Sequence, residues 1–314
     1  MNQNIQQLIK LNINEDASIL QKVKMPFVND SVEVYLKRED LLHKTISGNK
    51  WRKLKYNLVQ AQKDDQSTLL TFGGAYSNHI HATSGAGKVF GFKTIGVIRG
   101  EEHLPLNITL NEAISNGMEL HYVDRTSYRE KREQYFINKL HEKFGDFYHV
   151  PEGGTNKLAV KGCTEIIDDI KIDFDYIFSG CGTGGTFSGL VCGLDGKKKA
   201  VGVSALKGAD FLNQKITEYI KNFSGNDYSN WELKLDYHFG GFAKVKKDQI
   251  KYMRAFEKEN KILLEYIYTS KMIFAIYDMI KNGELKKGSR VIALHTGGLQ
   301  GREGMEKYLN KIEL

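Results

Sequence analysis

Three glycine-rich turns and one lysine hold most of the chemistry this sequence could perform. The most pointed turn is Ser179-Gly180-Cys181-Gly182-Thr183-Gly184-Gly185-Thr186, which follows the apolar run Tyr176-Ile177-Phe178 and precedes the helix-compatible Phe187-Ser188-Gly189-Leu190-Val191. A glycine turn feeding a helix start offers unpaired backbone N–H groups and the positive end of a helix dipole, which together suit a phosphate. A tight strand-to-helix connection would read the same way. The turn also matches GxGxxG, but the next strand-like run, Val201-Gly202-Val203-Ser204-Ala205-Leu206, ends in Lys207 and lacks the acidic residue that holds a dinucleotide ribose. No Walker-type Gly-Lys-Thr follows, so a lone phosphate is favoured.

The second turn, Gly73-Gly74-Ala75-Tyr76-Ser77-Asn78-His79, also links a strand-like to a helix-like run. Ser77 and Asn78 fall where a helix would begin and could simply cap it. His79 and His81 are two apart, not the four that place a zinc pair on one helical face, so no metal is expected. The third element, Ser47-Gly48-Asn49-Lys50, opens a helix-like segment. An ammonium there is slightly disfavoured by the helix dipole, which helps an amine act as nucleophile. Taken alone, Lys50 is one of many lysines.

Short apolar runs alternate with longer helical patterns and must position these groups. Strand candidates are Val32-Glu33-Val34-Tyr35-Leu36, Thr68-Leu69-Leu70-Thr71-Phe72, Thr94-Ile95-Gly96-Val97-Ile98, Tyr176-Ile177-Phe178, Ala200-Val201-Gly202-Val203 and Val291-Ile292-Ala293-Leu294. Such runs suit strands covered on both faces of a parallel sheet. Residues 128–144 and 248–260 interleave charged and apolar residues at helical spacing. An α/β protein is therefore expected.

The chain has 314 residues, 41% hydrophobic and 26% charged, which suits a globular protein of about two domains. Its +7 net charge is thinly spread. The run Lys197-Lys198-Lys199 has no interleaved aromatics, so no nucleic-acid partner is expected. No apolar stretch reaches membrane-spanning length, and Cys163, Cys181 and Cys192 lack metal spacing, reading as free thiols of a cytoplasmic protein.

The combination of motifs carries more than any one. Val34-Tyr35-Leu36-Lys37-Arg38-Glu39-Asp40-Leu41-Leu42 runs into Ser47-Gly48-Asn49-Lys50. There follow Gly73 to His79, Glu152-Gly153-Gly154-Thr155-Asn156, the phosphate-type turn, Tyr268-Thr269-Ser270-Lys271 and His295-Thr296-Gly297-Gly298. In this order they resemble the 1-aminocyclopropane-1-carboxylate deaminase/D-cysteine desulfhydrase family of pyridoxal-phosphate enzymes, over nearly the whole chain. The resemblance implies the two-domain tryptophan-synthase-β-like α/β fold, each domain a mostly parallel sheet flanked by helices. Residues 1–55 and 156–314 would form the larger domain, with 56–155 inserted as the smaller. It implies a small amino-acid substrate and a homodimer.

By the same resemblance, Lys50 bonds covalently to pyridoxal phosphate and then moves protons. Asn78 meets the cofactor's phenolic oxygen, and Ser77 serves the substrate carboxylate as nucleophile or proton relay, with His79 beside it. Cys181, Gly182, Thr183, Gly184, Gly185 and Thr186 cradle the phosphate, while Tyr268 handles a proton or the leaving group. Cys181, where related loops often have serine, reads as a passive filler, although a nearby helix start could acidify its thiol. Ring-opening deaminases of this kind carry Glu and Leu where this chain has Thr269 and Thr296. A neutral hydroxyl near the pyridine nitrogen holds it protonated less well than a carboxylate. Elimination from cysteine asks less of the electron sink, so D-cysteine desulfhydrase-like chemistry is expected ahead of ring opening. Phe242 stands where family members often have tyrosine, which bears on the substrate. A nucleotide-dependent oxidoreductase and a non-catalytic relative that keeps the cofactor are the competing readings.

Overall fold

The computed structural model describes residues 4–29 and 31–311. Among the described residues ten strands form two sheets: β1 (Leu20–Val23), β2 (Glu33–Lys37), β3 (Thr68–Gly73), β4 (Lys93–Arg99), β5 (Met118–Val123), β6 (Tyr148–Val150), β7 (Tyr176–Cys181), β8 (Lys199–Ser204), β9 (Trp231–Lys234) and β10 (Arg290–Leu294). One sheet has the order β1-β2-β10-β7-β8-β9 and the other β5-β4-β3-β6. Every pairing is parallel except that of β1 with β2.

The six runs read as strands from sequence are the interior strands β2, β3, β4, β7, β8 and β10. The four strands without a clear apolar run, β1, β5, β6 and β9, are the edges of the two sheets. Their residues are largely half-exposed, so they never needed to be apolar on both faces.

Helices cover the sheets, and their apolar faces build the core. The pattern at 248–260 lies within the helix Lys247–Asn260. The expected single helix at 128–144 is a 3-10 turn, Ser127–Glu130, followed by a shorter helix, Gln134–Phe144. Its first half is pinned by Asp124, whose carboxylate accepts from the N–H groups of Thr126 and Ser127 and competes with continuous helix. Among the described residues no helix is long and apolar enough to cross a membrane.

A cleft of about 430 Å³ opens past the carboxyl ends of the parallel strands, where a parallel sheet ordinarily binds its ligand. Gly73 ends β3, Cys181 ends β7, Leu206 lies just beyond β8 and Thr296 just beyond β10, and all four residues line it.

Candidate active site

The helix carrying Lys50, Asn49–Lys63, starts from Gly48 in the left-handed region at φ 65°. A Cβ on Gly48 would stand 1.8 Å from the Thr296 carbonyl oxygen, so only glycine lets these two backbones touch. The Gly48 N–H donates to the Glu39 carbonyl at 3.0 Å. Farther along the helix, Arg52 reaches back with Nε and Nη2 to the Glu39 carboxylate at 2.8 and 3.1 Å, and Nη2 also donates to Asp169 at 2.5 Å. Arg38 grips Asp40 in the same forked way at 2.9 and 2.7 Å, and His295 Nδ1 sits 3.4 Å from Asp40. The Lys37 to Asp40 motif is thus a frame that locks the start of the Lys50 helix to the strand ends. Such buried forks fix geometry more reliably than they add stability. Lys50 lines the cleft, and burial pulls its amine down to about 8 against the opposing pull of Cys163 and Glu265.

At one end of the cleft lies the turn Gly182-Thr183-Gly184-Gly185-Thr186, all five residues lining it. The helix Gly185–Leu194 begins from Gly184, which is left-handed at φ 86° and supplies no side-chain cap. Its first N–H groups therefore stay available to a ligand. A Cβ on Gly184 would stand 2.9 Å from Ile216, and one on Gly185 would strike Thr155 at 2.5 Å. Above the turn lies Lys53, which sequence reasoning passed over. It is buried, and its ammonium donates to the Gly153 carbonyl, to Thr155 Oγ1 at 2.8 Å and to Thr183 Oγ1 at 3.4 Å. Among the described residues no carboxylate pairs with it. Burial and the neighbouring Lys50 hold its amine well below the ordinary range. A buried amine whose partners are all neutral, beside uncapped N–H groups, suits an anion whose charge would hold it protonated. The available signal was spacing, since a residue three beyond Lys50 faces the same side of the helix.

Ser77 caps the helix Asn78–Phe90, accepting from the N–H groups of His79 and Ile80 at 3.2 and 3.3 Å. The capping reading holds, and it leaves the hydroxyl proton free to point into the cleft. Asn78 has its side-chain carbonyl fixed by Gln300 Nε2 at 2.6 Å, so its NH₂ group turns the other way, against Gly298, where a Cβ would lie 2.4 Å from it. His79 Nε2 lies 2.8 Å from Thr71 Oγ1, whose own proton goes to the Val150 carbonyl. The network therefore assigns the ring proton to Nε2 and leaves Nδ1 a buried acceptor with no partner. Burial, with Lys50 and Lys53 nearby, keeps the ring neutral.

Opposite the helix starts, Tyr268 lines the cleft and packs over Gly180 and Gly182. A Cβ on either glycine would lie about 3 Å from it, at 2.9 and 3.0 Å. Burial and the Glu265 charge push the Tyr268 phenol above its usual range, so it stays protonated. Thr296 lines the cleft as well, whereas Thr269 is buried behind the lining, its hydroxyl donating to Glu265 Oε1 at 3.0 Å. Glu265 is the second residue missed by sequence. This buried carboxylate accepts from the N–H groups of Ile267, Tyr268 and Thr269, and caps the helix Thr269–Lys281. Burial raises its pKa. Cys181 reaches the lining, but burial pushes its thiol up to about 12, so it acts as filler and not as a thiolate. Among the described residues no group of three or more His, Cys, Asp or Glu is arranged to hold an ion.

Comparison with known proteins gives the arrangement a family. Residues 21–297 match the profile of the family described as pyridoxal-phosphate dependent enzyme. A Pyrococcus furiosus protein, provisionally named a 1-aminocyclopropane-1-carboxylate deaminase, is 31% identical over 285 residues, covering 86% of this chain and 85% of its own. The mitochondrial bifunctional D-cysteine desulfhydrase/1-aminocyclopropane-1-carboxylate deaminase of Arabidopsis thaliana is 24% identical over 307 residues, 90% of this chain and 76% of its own. A crystal structure described as an ACC deaminase homologue superposes with a TM-score of 0.83 at 26% identity, covering 99% of both chains. The site fits pyridoxal phosphate on its own evidence. Lys53 and the uncapped turn suit an anion, a neutral-prone lysine amine stands in the same cleft, and the buried His79 Nδ1 has no hydrogen-bond partner. The chain belongs to the pyridoxal-phosphate dependent enzymes and, within them, to the 1-aminocyclopropane-1-carboxylate deaminase/D-cysteine desulfhydrase family.

Proposed function

We propose that the protein is a lyase that eliminates the sulfur of cysteine, with D-cysteine the favoured enantiomer, giving pyruvate, ammonia and hydrogen sulfide. The observation that carries this reading is one cleft holding the Lys50 amine, drawn down to about 8 by burial, together with the Ser77 and Tyr268 hydroxyls. Bound pyridoxal phosphate supplies an electron sink for charge developing at the substrate's Cα. The Gly182 to Thr186 turn and Lys53 hold its phosphate, and Asn78 its phenolic oxygen.

The chain's own groups then divide the proton work. The Lys50 amine is a competent base near neutral pH and accepts the Cα proton. Tyr268, kept protonated by burial, donates toward the departing sulfur. Ser77, whose oxygen already accepts two N–H groups, directs its proton to the substrate carboxylate. His79, held neutral, offers only an acceptor.

Ring opening of 1-aminocyclopropane-1-carboxylate is the second reading, and Glu265 speaks for it. Thr269 is not an isolated hydroxyl, because a buried carboxylate stands directly behind it. That weakens the sequence argument against a strong electron sink. Incubation with D-cysteine, L-cysteine, D-serine and the cyclopropane amino acid, with assays for keto acid and sulfide, separates the readings. Sulfide and pyruvate from cysteine support elimination; 2-oxobutyrate alone supports ring opening; no keto acid from any of them rejects both. The family resemblance also carries a homodimer, which light scattering on the eluted protein would test.

A further inference from the structure

The cleft does not end where a cysteine would. Four of its walls, Tyr76, Asn78, Phe242 and Ile267, are also walls of a second cavity of about 310 Å³ that runs on toward the C-terminal helix Arg302–Lys311, where Met305 and Tyr308 line it. That cavity is mostly apolar. Its carboxylate, Glu265, is spent on the N–H groups of its own helix start, and its lysine, Lys244, lies exposed. Tyr76, Phe242 and Tyr308 leave 55%, 46% and 41% of their surfaces exposed around it, an unusual concentration of bare aromatic surface for a folded chain.

The shared wall is also held rigidly. Phe239, Gly240, Gly241 and Ala243 have φ of 52°, 105°, 119° and 56°, so the loop presenting Phe242 is left-handed on both sides of it. Buried Lys271 clamps this loop by donating to the His238 carbonyl at 2.8 Å and the Gly241 carbonyl at 2.9 Å, while the Phe242 ring meets Tyr268 edge-on with centroids 6.2 Å apart. Strain retained beside a cleft is a mark of a functional surface. A cysteine side chain stops one atom past Cβ and leaves the second cavity to water.

We infer that the preferred substrate is a cysteine whose sulfur carries an apolar substituent, seated between Phe242, Tyr76 and Met305. The inference rests on the elimination reading above. The reaction balances without a further reagent: R–S–CH₂–CH(NH₃⁺)–COO⁻ plus water gives R–SH, pyruvate and ammonium. The Cβ–S bond breaks with its electron pair on sulfur, and water supplies the pyruvate oxygen.

The test measures kcat/KM for cysteine, S-methyl-, S-ethyl- and S-benzylcysteine in both enantiomers on the holoenzyme. Calorimetry alongside it compares norleucine and phenylalanine with alanine, none of which can eliminate. The inference expects kcat/KM to rise about tenfold or more from cysteine to the larger substituents, with norleucine or phenylalanine binding more tightly than alanine. In Met305→Glu, or the milder Met305→Gln should the first not fold, the S-benzyl to cysteine ratio falls about tenfold. Keto acid from cysteine with no gain from any substituent, and equal binding of norleucine, phenylalanine and alanine, overturns the inference alone. Keto acid from none of the compounds overturns the elimination reading and the inference with it.

Discussion

The helix Gly185–Leu194 starts from a glycine with no side chain to satisfy its first N–H groups, whereas the helix Thr269–Lys281 starts above the Glu265 carboxylate, which takes up several of its own. Both starts adjoin the cleft, one through Gly184 and Gly185 and the other through Tyr268. The first is left electropositive, reinforced by buried Lys53, and the second has its own anion built in. A ligand with one anionic end therefore has one orientation in this cleft. Lys50 lies between these influences, drawn down by burial and pulled back up by Glu265.

Several substitutions would break or sharpen that contrast. Lys50→Ala should reduce turnover of the responsive amino acid by about 10³-fold or more, because base and covalent anchor go together; steady-state keto-acid assays measure it. Lys53→Met removes the cation of the anion-ready end and should weaken cofactor affinity by roughly tenfold to a hundredfold, the worth of a charged hydrogen bond. Glu265→Gln, at the other end, should leave that affinity unchanged when both variants are titrated with pyridoxal phosphate and read by fluorescence. Equal losses in the two variants would erase the distinction drawn between the ends.

The lysine amine offers a pH test. Its folded pKa of about 8 lies below the ordinary 10.5, so the unfolded chain binds more protons between those values. Stability of the cofactor-free protein should therefore rise with pH across about 8 to 10.5, relative to Lys50→Met. Denaturant titrations at pH 7.5 and 10.5 check the sign. The rate of cofactor capture should climb with a midpoint near pH 8 for the same reason. The smallest effect belongs to Ser77→Ala, where losing the cap costs about 1 kcal/mol of stability, read as a shift in denaturation midpoint separate from any loss of turnover.

Much of this was legible in sequence, and the gaps have physical causes. Interior strands such as β3 and β10 are covered on both faces and spell continuous apolar runs, while β1, β5, β6 and β9 lie at edges and spell nothing distinctive. Lys50, Ser77, Asn78, Tyr268, Thr296 and the glycine turn meet in one cleft as their motifs implied, and Thr269 stands just behind it. Lys53 and Glu265 escaped because their meaning depends on partners distant in the chain or hidden by burial. Lys53 reads as a surface lysine until Thr155 and Thr183, over a hundred residues away, close round it. Glu265 reads as one acid among many until its burial and its bonds to a helix start are seen. The Lys37 to Asp40 run was recognised as a motif, but its role as a frame needed Arg52 and His295 in place.

The most direct test of the central claim is borohydride reduction of the holoenzyme followed by proteolysis and mass spectrometry. The cleft geometry expects loss of the visible band and a pyridoxyl mass increment on Lys50 alone. The increment on Lys53, or on no lysine of the Asn49–Lys63 helix, would contradict it.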